Sequence, residues 1–199
     1  MAIRIMKSRE INSSPGSLVK DAIDIGMKYK DVAAQSKFYR RLRVNGKIAD
    51  TIRDCNNFLS MSGNFKNGCL YREEGLSEIW KKGNGEEVVC EHAVPVTELV
   101  RRYHDGEKIE RLIFSPVVRI TKKSNDELTR RRFAKRGWKL GFPLFRYSEI
   151  KMSVITHFGK VVDPSTWTDE DHWNLVLSTE ELWEVLNELG IRNGLSETR

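Results

Sequence analysis

Apolar residues recur at three- and four-residue spacing along two stretches near the start of the chain, a period that predicts a helix for each. In SSPGSLVKDAIDIGMKYKDV, Leu18, Ala22, Ile25 and Tyr29 fall on one face, with Ser13 or Ser14 placed to cap the first turn and Pro15 just inside it. GKIADTIRDCNNFLSMSG repeats the pattern through Ile48, Ile52, Cys55 and Leu59 and closes at Gly63. GNFKNGCLYREEG carries no period and reads as loop. LSEIWKKGNGEEVVCEHAVPV then predicts a helical turn, a Gly-Asn-Gly turn and an apolar strand that stops at Pro95. VTELVRRYHDGEKIERLIF predicts one or two helices and PVVRI a second strand. SNDELTRRRFAKRG predicts a helix with Ser124 as its cap and Glu127 three residues on, the capping-box spacing. Phe142, Phe145 and Tyr147 lead into KMSVITHF, a further strand. STEELWEVLNELG closes the pattern as an amphipathic helix, with Ser178 and Glu181 as a second capping box and Gly190 as its stop.

This order of elements predicts an α+β fold. Residues 1–62 read as an N-terminal helical accessory segment, and residues 63–199 as the main body with a C-terminal helical extension. The chain has 199 residues, enough for a sizeable core, and its 39% hydrophobic and 31% charged residues describe a globular rather than a disordered protein. No apolar run approaches the roughly 18 residues of a membrane span, and MAIRIMKSRE lacks the apolar stretch of a signal peptide. No membrane partner is expected, and the expected location is the cytoplasm. Cys55, Cys69 and Cys90 are odd in number and far apart in sequence, which predicts reduced, partly buried thiols rather than a disulfide framework or structural zinc site.

The net charge is +6, and the cations cluster in KFYRRLRVNGK and in RITKKSNDELTRRRFAKRGWK, whereas the stretch from Asp163 to Glu188 is acidic. Phe133 and Trp138 stand among the cations of the second run. A surface of this kind suits a polyanion, because neutralising phosphates releases counterions. A solvated helix face is the plainer reading of either run alone.

The strand in EEVVCEHAVPVTEL ends on an acid beside an imidazole, Glu91 and His92. Polar residues are common at strand ends; an alternative is a catalytic base beside a metal ligand. The order acid, His, two residues, Pro, spacer, short strand ending in Thr, cation-rich helix runs from Val88 to Arg132. It resembles the HNH, or ββα-metal, nucleases, including the colicin-type DNases. The resemblance implies a ββα-metal-like core and a metal-dependent DNA endonuclease, of restriction or phage-encoded type. It assigns His92 as general base, with Glu91 and Asn125 as ligands of a divalent ion, Mg²⁺ foremost. A neutral imidazole can deprotonate the attacking water, and carboxylate and amide oxygens suit a hard cation. Ser115 or a backbone carbonyl would orient His92. Arg119, Lys122, Lys123, Arg130, Arg131, Arg132, Lys135 and Arg136 would hold phosphates. The expected partner is DNA, with RNA and a homodimer left open. This chain departs from the family in its long helical spacer and in lacking a zinc-knuckle cysteine pair.

Other residues read more plainly. His104 predicts an exposed helix end, His157 a strand position and His172 a surface or capping role, while Trp80, Trp167, Trp173 and Trp183 read as packing aromatics. Glu149 and Lys151 form an E-x-K on an expected strand, similar to the restriction-type PD-(D/E)XK nucleases. A reading from a different class is a non-catalytic nucleic-acid-binding or regulatory protein, in which Glu91 and His92 merely end a strand.

Overall fold

The Ser17 amide donates to the Ser14 hydroxyl at 3.2 Å, which caps the first helix of the computed structural model. The structure describes residues 14–35, 41–61, 69–76, 87–133 and 137–191. Helix α1, Pro15–Gln35, lies along α2, Arg41–Met61. The face of α2 is the expected one: Ile48, Ile52, Cys55 and Leu59 are all buried. The face of α1 is not. Its core residues are Val19, Ile23 and Ala33, while Ile25 and Tyr29 are 56% and 61% exposed. Glycines set this rotation. A Cβ on Gly26 would lie 2.0 Å from the Thr51 hydroxyl oxygen on α2, so the two helices meet where α1 has no side chain.

Five short strands form one mixed sheet in the order β2-β3-β1-β4-β5, where β1 is Tyr71–Glu73, β2 Val88–His92, β3 Val117–Thr121, β4 Val154–Thr156 and β5 Val161–Val162. β3 and β1 run parallel, and the other neighbours are antiparallel. The middle strand β1 comes from the stretch read as loop. Three residues are too few to show a two-residue period, and β1 is a strand because neighbours on both sides satisfy its backbone.

The spacer after β2 forms two helices, α3 at Val96–His104 and α4 at Ile109–Leu112. β3 passes directly into α5, Lys122–Arg130. Beyond it lie α6 at Phe145–Glu149, α7 at Asp169–Ser178, a 3-10 turn at Glu180–Leu182 and α8 at Trp183–Glu188. Both expected capping boxes move. The cap of α5 is Thr121, whose hydroxyl accepts from the Ser124 amide at 3.1 Å, and the Ser124 hydroxyl donates to Glu73 instead. The observed box is Thr168 with Asp171, at the start of α7. Ser178 ends that helix, its hydroxyl donating to the Leu175 carbonyl. Gly190 does stop α8, with φ of 70°.

Val19, Ile23, Ile48 and Ile52 join Val118, Ile120, Val154 and Leu186 in a single core, so α1 and α2 are built into the same apolar interior as the sheet. The fold is therefore α+β. No described helix is long and apolar enough to cross a membrane.

One polar chain crosses this interior. Trp167 donates its ring N–H to the Tyr71 hydroxyl at 3.0 Å, and Tyr71 meets His172 Nδ1 at 2.8 Å. His172 Nε2 lies 2.7 Å from the Phe114 carbonyl oxygen, which fixes the proton on Nε2 and leaves Nδ1 to accept from Tyr71. His172 is thus a buried structural residue rather than a surface or capping one, because a fully partnered imidazole can join strand, helix and loop inside the core. Tyr71→Phe leaves the part-buried Trp167 N–H and the buried His172 Nδ1 unmatched. It should lower stability by about 1–3 kcal/mol with an unchanged m-value in urea. A cost below roughly 0.5 kcal/mol would mean that the chain of bonds contributes little.

Candidate functional site

Glu91 and His92 lie inside the β2–β3 ladder, opposite Val118 and Val117. Successive strand residues point to opposite faces of a sheet, so the two side chains diverge. Glu91 faces α6, where it forms an ion pair with the fully buried Arg146, and the Tyr147 hydroxyl donates to it at 3.5 Å. Arg146 also donates to the His92 carbonyl. His92 points towards α2. Burial, and then the charge of Arg53, lower its pKa to about 4. Its Nε2 is buried and has no hydrogen-bond partner among the described residues. Such an imidazole is neutral at physiological pH but a weak base.

Asn125 lies in the first turn of α5, which leaves the sheet at Thr121. Thr121 pairs with Val88 and lies four residue steps along β3, about 13 Å of strand, from Val117, the partner of His92. Among the described residues no hydrogen bond or ion pair links Asn125 to Glu91 or His92. The Ser115 hydroxyl oxygen is buried without a hydrogen-bond partner among the described residues, so none of its bonds orients His92. Among the described residues, no group of three or more His, Cys, Asp or Glu side chains is arranged to hold a metal ion.

The cations sort into two kinds. Arg119, expected at a phosphate, is only 3% exposed and lies beside the equally buried Arg72, its partner on the neighbouring strand β1. Lys122, Lys123, Arg130, Arg131 and Arg132 are exposed. Lys122 pairs with Glu87 at 3.0 Å. Glu127 receives both Arg130 and Arg131, at 2.7 and 2.5 Å, and these bonds hold its carboxyl down to about pKa 2. Arg131 reaches on to the Glu149 carbonyl at 3.0 Å. Lys135 and Arg136 lie outside the described residues. Beyond them Lys139 sits over the rings of Phe142 and Phe145, at 4.2 and 5.1 Å.

The second expected motif is not on a strand. Glu149 ends α6, and Lys151 sits in the following turn with φ of 56°, three residues before β4. His104 is exposed at the end of α3, as expected, with Nε2 2.8 Å from Asn45 Oδ1. His157 lies in the turn after β4, 3.4 Å from the Thr179 hydroxyl. Trp167 and Trp183 are partly buried packing aromatics, each donating its N–H internally, while Trp80 lies outside the described residues. A cleft of about 560 Å³ opens beside α3, α4 and α7, with Arg102, Arg111, Asp169 and Trp173 on its walls. Its residues come from three separate stretches, so no sequence motif marks it. The chain matches no family model, no curated protein and no solved structure.

His92 and His172 both have pKa values lowered by burial to about 4. A base whose folded pKa lies below its unfolded value of about 6.5 is protonated first in the unfolded chain. Stability should therefore be complete above pH 6.5 and fall as the pH drops towards 4, by on the order of 3 kcal/mol for His172. In imidazole NMR spectra both rings should keep neutral shifts at pH 5.5. Titration of either ring near pH 6.5 would contradict the burial argument.

Proposed function

We propose that this protein binds nucleic acid through the exposed cations of α5 and the turn behind it, by contacts to phosphates rather than bases. These cations are concentrated in one short stretch. Lys122, Lys123, Arg130, Arg131 and Arg132 stand against only Asp126 and Glu127 across eleven consecutive residues, and all five cations are exposed. Glu127 restrains two of the guanidinium groups, which lowers the entropy lost when they meet a phosphate. Lys139 with Phe142 and Phe145 lies further along the chain and offers the pairing of cation and aromatic face that stacks on unpaired bases. In this reading Glu91 is a structural anion for Arg146.

A metal-dependent DNA endonuclease of HNH type is the second reading. Its support is one feature of the topology: β2 and β3 are antiparallel and α5 follows at once, the order that the resemblance implies. Catalysis by that route needs Glu91 to exchange Arg146 for Mg²⁺ and to share the ion with Asn125.

Replacing Lys123, Arg130, Arg131 and Arg132 together by Ala should weaken binding of duplex and single-stranded oligonucleotides alike. It should also make the slope of log K against log salt shallower by about 2 to 4. Equal affinity and slope in the variant would remove the proposal. Plasmid incubated with the protein should stay supercoiled with Mg²⁺ and with EDTA alike. Mg²⁺-dependent nicking that His92→Ala abolishes would favour the endonuclease instead.

A further inference from the structure

Two of the three cysteines, 21 residues apart in the sequence, meet in the fold. Cys69 lies two residues before β1 and Cys90 in the middle of β2, and their Sγ atoms are 3.5 Å apart. A disulfide bond is about 2.05 Å long, so closing it asks for roughly 1.5 Å of approach. The two thiols differ in access. Cys69 is 2% exposed, whereas Cys90 is only partly buried. Cys90 is also paired across the ladder with Arg119, a buried guanidinium.

We propose that Cys69 and Cys90 form an oxidisable dithiol that a low-molecular-weight disulfide, such as glutathione disulfide, converts to an intramolecular disulfide. Cys90 is the attacking group. The hydrogen bond from Cys69, and after it the positive charge of Arg119, hold its thiol below the ordinary value against the opposing effect of burial. The Cys90 thiolate attacks one sulfur of glutathione disulfide, the S–S bond breaks, and the first glutathione leaves as a thiolate that takes up a proton. Cys69 then loses its proton to solvent and attacks Cys90 Sγ, expelling the second glutathione. The protein gives up two electrons and two protons, and one glutathione disulfide becomes two glutathione molecules. Cys55, on α2, takes no part: burial pushes its thiol up to about 12, and it is 1% exposed. The site is independent of nucleic-acid binding, so either proposal can fail alone.

The test incubates the folded full-length chain with glutathione disulfide, quenches with acid, alkylates the denatured protein and reads intact mass and a non-reducing gel. Wild type should carry a single alkyl group, on Cys55, retain no glutathione and run as a monomer. Dithiothreitol should restore all three sites. Cys69→Ser, or Cys69→Ala, should hold one glutathione on Cys90, with folding checked by circular dichroism. Cys90→Ser should leave Cys69 unmodified. Three alkylated cysteines in oxidised wild type, no adduct in both Cys69 variants, or disulfides formed only between chains would each overturn the proposal.

Discussion

The guanidinium of Arg146 is buried in the core, and the fold depends on supplying it with an anion. Taking such a charge out of water costs several kcal/mol unless a carboxylate and hydrogen-bond acceptors replace the solvent. Glu91 provides the carboxylate, and the His92 carbonyl accepts another of its hydrogen bonds. Both partners belong to the end of β2, so the pair fastens α6 to the edge strand of the sheet. It also decides the chemistry of that strand end. A carboxylate neutralised by a buried guanidinium is a poor ligand for Mg²⁺, which would have to displace a charge with nowhere else to go.

With Glu91 held in this way, the exposed cations concentrate on α5 and the turn behind it. Its position too is fixed by a carboxylate. Glu73, at the end of the middle strand, accepts from the Thr121 amide and the Ser124 hydroxyl, each at 2.7 Å. Those bonds fasten the first turn of α5 to β1, and Leu128 buries the helix underside. The outward face carries Lys122, Lys123 and Arg130 together with Asp126 and Thr129. A helix fixed in this way, with Arg130 and Arg131 held by Glu127, suits phosphate binding, which needs charge density more than exact placement.

Much of the secondary structure was legible, and the reasons for the misses are local. The stripe Ile48, Ile52, Cys55 and Leu59 is buried because α2 meets apolar groups along its length, so period alone predicts its face. α1 is rotated because Gly16 and Gly26 mark its close approaches, a signal that hydrophobicity does not carry. β1 has no two-residue period to read. Thr121 caps α5 although Ser124 and Glu127 have the capping-box spacing, because the strand delivers Thr121 in extended conformation directly before the first helical residue. The site was harder still. Glu91 and Arg146 lie 55 residues apart, and nothing in VVCEHAV says that its acid is already matched. Arg119 reads as one cation in a basic run, yet it alternates into the sheet interior. The five exposed cations were legible because surface charge is a property of composition and needs no partner to identify it.

Glu91 serves the fold through Arg146, and a double-mutant cycle by urea unfolding measures how strongly the two are coupled. Arg146→Met and Glu91→Leu should each cost about 3 kcal/mol or more, since each leaves one charge without its partner. The double variant should cost clearly less than the sum, with a coupling of about 2 kcal/mol or more. Additive costs, or a Glu91→Leu variant as stable as wild type, would show that the pair does not hold the fold and return Glu91 to the candidates for metal binding.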